Sequence, residues 1–199
     1  MRYWHLGVAA SLLVLPLSGC GQEQRGPVMS TPTAQFHDHI GEREREEGRA
    51  GQRALLADGS ASRGDYEAAV SRLRTCLARG GVALVNHGWN PVNHQRMSLW
   101  YKGSSLSDDE AAAYGDQCHA AHVADVELRY VEQHPPRMSA ALLASTRPCL
   151  SAGGIATTGD EESLPELVRA VGPDRKRDVF ECVSKGISKR YPDKLFVVS

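Results

Sequence analysis

Aromatic side chains are scarce, at 6% of the chain, so any core must be built from Leu, Val and Ala around a few rings. No stretch after Cys20 holds 18 consecutive apolar residues, which excludes a later membrane-spanning helix of ordinary length. An excess of one charge is missing too. The 23 basic and 24 acidic residues leave a net charge of −1, with the arginines scattered among acids. A nucleic-acid binder needs a concentrated basic face, so nucleic acid is excluded as a partner. No Cys-x-x-Cys pair occurs, so metal binding by Cys76, Cys118, Cys149 and Cys182 is not expected. Gly-x-Ser-x-Gly, His-Glu-x-x-His, Ser-x-x-Lys and phosphate-loop patterns are also lacking, so no recognised motif marks an enzyme.

What is present begins at the first residue. Arg2 and His5 form a short polar head, Leu6 to Leu17 are mostly apolar, and small residues follow, which is the layout of an export signal. About 12 apolar residues at ~1.5 Å each reach roughly 18 Å, short of a ~30 Å hydrocarbon layer. The run closes on Leu17-Ser18-Gly19-Cys20, which looks like the lipobox of bacterial lipoproteins. The resemblance implies cleavage of residues 1–19, a diacylglyceryl group on Cys20 and at least two acyl chains. At ~0.8 kcal/mol per buried CH₂, two chains make a stable anchor. Membrane lipid is then the first partner, and the place is extracytoplasmic, tied to a bacterial membrane. Gly21 lacks the Asp that some Gram-negative sorting systems read as an inner-membrane retention mark.

Residues 20–62 read as the lipidated Cys and a flexible tether. Gly-Pro, Thr-Pro-Thr and the Glu/Arg run from Glu42 to Arg53 supply few apolar groups to offset ordering entropy. Alternating charges favour a fraying helix over 42–53, and Gly48 and Gly51 weaken it. From 63 to 199 the pattern predicts a globular α+β domain, predominantly helical. Asp65 is the expected N-cap of a helix bearing Tyr66, Val70, Leu73 and Leu77 and ending at Gly80-Gly81. Val82–Val85 and Met97–Tyr101 predict a β-hairpin with a long loop between them. Ser107-Asp108-Asp109-Glu110 is a capping box for a helix expected to run to Gln133 before Pro135-Pro136. Met138–Thr146 predicts a third helix, and Ser163 to Glu166 a second capping box whose helix stops at Gly172. Pro173 suits the start of a last helix with Phe180, Val183 and Ile187 on one face, and Lys194–Val198 a final strand.

The chain also repeats itself. Arg74-Thr75-Cys76-Leu77-Ala78-Arg79-Gly80-Gly81-Val82-Ala83 matches Arg147-Pro148-Cys149-Leu150-Ser151-Ala152-Gly153-Gly154-Ile155-Ala156. Each copy precedes an acid-started helix carrying the next cysteine, Cys118 or Cys182. Two related units follow, about 63–133 and 138–199, although Pro148 should kink the third helix. Export permits disulfides, and four cysteines allow three pairings. The repeat favours Cys76–Cys118 and Cys149–Cys182, each inside one unit. The competitor joins the units through Cys76–Cys149 and Cys118–Cys182. The Cys-Leu-x-x-Gly-Gly segment is similar to segments in small uncharacterised secreted lipoproteins of GC-rich bacteria, a group that implies no activity.

Three chemistries deserve weighing. His119 and His122, three apart on one helix, with His87 and His94 from the hairpin loop, are candidate zinc or copper ligands. Against this, Asp116 and Asp125 stand ready as ordinary partners for them. His37-Asp38-His39 offers only adventitious metal binding. The loop residues Trp89, Asn90 and Asn93, with Trp100 and Tyr101, mix amides and aromatics as ligand-contacting surfaces do. Such mixtures occur more often as turn chemistry, in which Asn and Gly tolerate unusual backbone angles and Pro fixes one. Cys118-His119 lacks the first cysteine of a haem-attachment motif, since Gly115 holds that place, and paired cysteines leave no thiol nucleophile. The sequence therefore predicts a lipid-anchored binding or interaction module with no cofactor, whose partner is an envelope protein or small ligand. A metal-handling protein and an envelope enzyme with an unrecognised site are the rivals.

Overall fold

Glycines that weaken a helix in isolation can let it dock, and the N-terminal end of the structure shows how. The computed structural model describes residues 40–192, all within one unit that begins at Asp38. The Cys20 anchor, His37-Asp38-His39 and the Lys194–Val198 strand lie outside the described residues. Residues 42–53 do not belong to a tether: α1 (Glu42–Leu55) packs against the helix α3 (Asp108–His122). A Cβ on Gly48 would stand 2.5 Å from the carbonyl oxygen of Ala121, so only glycine allows this approach. Gln52, 1% exposed, donates from Nε2 to the carbonyls of Ala120 and Ala121 at 3.2 and 2.8 Å. Its Oε1 accepts the backbone N–H of Asp125 at 2.8 Å.

That last bond explains a second departure. The helix expected from Ser107 to Gln133 is two helices, α3 and α4 (Ala124–Gln133), broken at Val123 with φ −128° and ψ −37°. A break strands backbone N–H groups, and Gln52 from α1 accepts one of them. Sequence spacing cannot reveal a cap supplied from 73 residues away. Ser62, rather than Asp65, caps α2 (Arg63–Arg79), with Asp65 completing the capping box from the third helical position. Ser107 and Ser163 form the two capping boxes expected of them.

The hairpin pairs β1 (Val82–Trp89) with β2 (Met97–Gly103) in antiparallel register, Val85 opposite Trp100. β1 is longer than expected. A bulge between Asn86 and Trp89, with Gly88 at φ +85°, carries the strand past His87. Leu84, Leu99 and Tyr101 face the helices, and Val85 and Trp100 face out.

Beyond Pro135-Pro136, α5 (Ala140–Ala152) runs through Pro148 rather than stopping near Thr146. The helix α6 (Leu164–Val171) ends at Gly172. A 3₁₀ turn over Pro173–Arg175 then leads into α7 (Lys176–Arg190), where Val179, Val183 and Ile187 are buried and Phe180 only partly so.

Two apolar clusters result. The first gathers Tyr66, Leu73, Leu77, Val123 and Val126 under α1 to α4 and the hairpin, and the second gathers Leu142, Leu150, Leu167, Val179 and Val183 under α5 to α7. Each contains one disulfide, Cys76–Cys118 and Cys149–Cys182, so the cross-links fall within the halves and not between them. Both Cys-Leu-x-x-Gly-Gly segments finish their helices in the same way. Gly80 and Gly153 cap at φ −90° and −82°, and Gly81 and Gly154 turn left-handed at +69° and +71°, a conformation that disfavours any Cβ.

Candidate functional site

The hairpin loop is the first expected site, and its polar groups are already used. Asn90 Oδ1 accepts the N–H of Val92 at 2.9 Å, and Asn93 Oδ1 that of Gln95 at 3.0 Å, so both amides close local turns. The loop also docks the second half. Pro91 and Asn93 carbonyls accept the N–H groups of Ser139 and Arg137 at 2.8 Å, and Val92 is buried in the second apolar cluster. Asn90 and Asn93 are therefore spent on structure. Trp89 is an inner residue as well, with its ring 5.3 Å from both Tyr66 and Tyr130 and the Arg63 guanidinium 5.2 Å above it. Tyr101 lies against Gly115, where no Cβ would fit. Burial, then the charges of Asp116 and Glu127, push its phenol up to about 12. Of the five proposed ligand contacts, Trp100 presents the most open ring, 43% exposed beside Val85 at 38%.

The four candidate histidines do not converge. Among the described residues they form no group of three donors within 4.8 Å of one another. His87 sits edge-on to Trp100, ring centres 6.4 Å apart. His94 occupies the loop at φ +53°, where burial and the Arg63 charge hold its imidazole below the usual range. His119 and His122 share α3 yet serve different carboxylates. The Nε2 of His119 is 3.7 Å from Glu127, and that of His122 is 2.8 Å from Glu44. The anticipated partners Asp116 and Asp125 are displaced by acids from α4 and α1.

Two polar clusters emerge in their place. In one, Glu127 accepts a hydrogen bond from the Tyr66 hydroxyl and pairs with Arg96 at 3.2 Å. Burial pushes this carboxyl up, but the neighbouring His119, the Tyr66 hydrogen bond and the Arg96 charge outweigh it, leaving it below the usual range. Burial and the Glu127 charge raise the Tyr66 phenol far above its ordinary value. A protonated phenol donating to an ionised carboxylate is a stable pair. Neither group is poised to exchange a proton near neutral pH.

The second cluster lies between α1, α2 and α3. Glu44 pairs with both His122 and Arg79, and an open cavity of about 340 Å³ is lined by Glu44, Glu47, Arg72, Thr75, Arg79 and His122. Two buried atoms here lack partners: His122 Nδ1 and Arg72 Nη1. Burial, then the Arg79 and Arg72 charges, hold His122 below its usual range against an opposing Glu47. The imidazole is thus neutral near pH 7, the form that ligates metals. The Cys76 sulfur joins Glu44 and His122 within 4.8 Å. His122 stood out in the sequence as a candidate ligand and Cys76 as a disulfide cysteine, but Glu44, Arg72 and Glu127 carried no local signal. Gly48 is where α1 comes closest to α3, and Gly51 is where it meets Arg72 of α2.

No protein-family model, curated protein or solved structure is significantly similar to the chain.

Proposed function

We propose that the chain is a lipid-anchored envelope protein whose folded part is a non-catalytic interaction module. The Leu17-Ser18-Gly19-Cys20 segment supports the anchor, and the outer face of the hairpin supports the interaction. The observation that carries the reading is the cross-strand pair Val85 and Trp100, both exposed and directly opposite each other, with His87 edge-on beside Trp100. Large aromatic rings left in water favour a partner, because burying one gains far more than burying a polar side chain. Each strand is also an edge among the described residues, since the sheet has two strands. An open edge offers backbone N–H and C=O groups to an added strand. The partner that fits is an envelope protein contributing an extended segment with apolar side chains at alternate positions.

The Tyr66–Glu127–Arg96 cluster supports this choice over an enzyme. Its groups satisfy one another. The test uses full-length acylated protein with a photo-crosslinker at Val85. One cross-linked envelope partner is expected, lost in Trp100→Ser and kept in Leu128→Ser, which removes the exposed leucine of α4 instead. Equal cross-linking in both variants would overturn the hairpin as the binding face. Intact mass checks the anchor separately: residues 1–19 should be absent and acyl chains present on Cys20.

A further inference from the structure

Three helices bring one carboxylate oxygen, one sulfur and one imidazole nitrogen together. Glu44 comes from α1, Cys76 from α2 and His122 from α3, with these donor atoms all within 4.8 Å of one another. His122 is 7% exposed, and its buried Nδ1 has no hydrogen-bond partner, while its Nε2 meets Glu44. Cys118 sits one helical turn before His122 on the same face of α3. The donor types are those of a tetrahedral zinc site, two sulfurs, one imidazole and one carboxylate. In the oxidised protein the sulfurs are tied to each other, and a disulfide sulfur is a poor donor beside a thiolate.

We propose that the reduced protein, before the Cys76–Cys118 bond closes, holds one thiophilic divalent cation of the zinc class on Cys76, His122 and Glu44, with Cys118 as fourth donor. The fold then has two mutually exclusive staples at one place, a cation or a disulfide. Coordination releases the proton of each ligating thiol to solvent. Closure of the disulfide removes two electrons from the paired sulfurs. An external disulfide accepts them, takes two protons from solvent and leaves as two thiols, and the cation is set free. The exposed Glu47 and the Arg79 pair of Glu44 flank the open cavity, giving the ion a charged way out. This inference stands apart from the hairpin interaction, since it uses the cluster between α1, α2 and α3 and none of the hairpin's residues.

The probe is cobalt(II), whose tetrahedral thiolate complexes absorb strongly. The full chain is titrated in reduced and oxidised states while helical content is followed by circular dichroism. The reduced chain should bind one equivalent with a thiolate charge-transfer band, and the oxidised chain none. Cys76→Ser should lose the band, and His122→Gln and Glu44→Gln should each weaken binding by at least about tenfold. If reduction unfolds the chain, one equivalent of cobalt should restore the helical signal, because a site formed only in the fold drives folding. Failure to restore it overturns the proposal. So does binding of equal affinity in His122→Gln, or equal binding by oxidised and reduced chains.

Discussion

The halves on either side of Pro135-Pro136 use the same closing device, a helix ending in Cys-Leu-x-x-Gly-Gly and a cysteine bridge to a later helix, around cores of different chemistry. The first half sets aromatic rings and ionisable groups in and around its core: Tyr66, Trp89, Tyr130, Glu44, His122 and Glu127. The second is built on Leu142, Leu150, Leu164, Leu167, Val179 and Val183, and its buried acid, Glu161, only ties a local turn to Thr158 and Gly159. Their bridges differ in access as well. Cys76 and Cys118 are 1% and 0% exposed, whereas Cys149 is half-buried beside open cavities of about 360 Å³. A shared sequence signature thus sets how a helix ends and what it is tied to. It leaves the neighbours free to vary, and the neighbours decide whether chemistry is possible.

Several measurements would break or sharpen that contrast. The largest effects belong to the bridges. Their separations of 42 and 33 residues give each roughly 4 kcal/mol in the chain-entropy model, so the two double Cys→Ala variants should lose similar stability in urea melts. Their reduction should differ sharply. Timed alkylation and mass spectrometry in mild reductant should open Cys149–Cys182 well before Cys76–Cys118, and the reverse order would contradict the burial argument.

Next in size are the glycine contacts. Gly48→Ala drives a Cβ to 2.5 Å from the Ala121 carbonyl, a backbone atom that cannot swing away, and should cost about 1–3 kcal/mol. Gly186→Ala, in the second half, meets the Leu142 and Ser145 side-chain ends at 2.8 Å and should cost less, because those can rotate. Tyr66→Phe removes one hydrogen-bond donor from the half-buried Glu127 carboxylate. A loss of about 1–3 kcal/mol is expected in the thermal melt.

Acid should separate the halves more gently. The folded imidazoles of His94 and His122 lie below their ordinary 6.5, so the unfolded chain binds protons first as pH falls through that value. Stability is therefore full above about pH 6.5 and declines beneath it. Glu127 and Glu161 are held below their ordinary 4.5, so their contributions stay until pH falls past that point. Between about pH 6.5 and 4.5 hydrogen exchange should quicken in the first half and hold steady in the second. Removing the imidazole with His122→Gln should blunt the response. The smallest effect belongs to Trp100→Ser, which should leave stability within about 0.5 kcal/mol while removing the proposed partner contact.

Much of the fold could be read from local pattern. The capping boxes at Ser107 and Ser163 and the glycine stops at Gly80 and Gly172 involve residues within a few positions of each other. The cysteine pairing followed from the repeat, since each bridge closes inside one copy. The candidate sites depend on contacts distant in sequence. Spacing placed His119 and His122 on one helix, and their partners arrived from α4 and α1. The loop amides at Asn90 and Asn93 had the composition of a ligand surface but were consumed by turns and by the second half. Residues 42–55 had the composition of a tether, because the value of Gly48, Gly51 and Gln52 appears only when a partner helix is present.

By itself the sequence determined where several helices start and stop, which cysteines close which half, and that Leu and Val would form the cores. Those outcomes depend on hydrogen bonds and side-chain periods spanning a few residues. Tertiary structure alone decided that α1 docks, that the α3–α4 break is tolerated, and that Glu44, Cys76 and His122 meet. Their contacts cross up to 78 positions, and packing rather than spacing selects them.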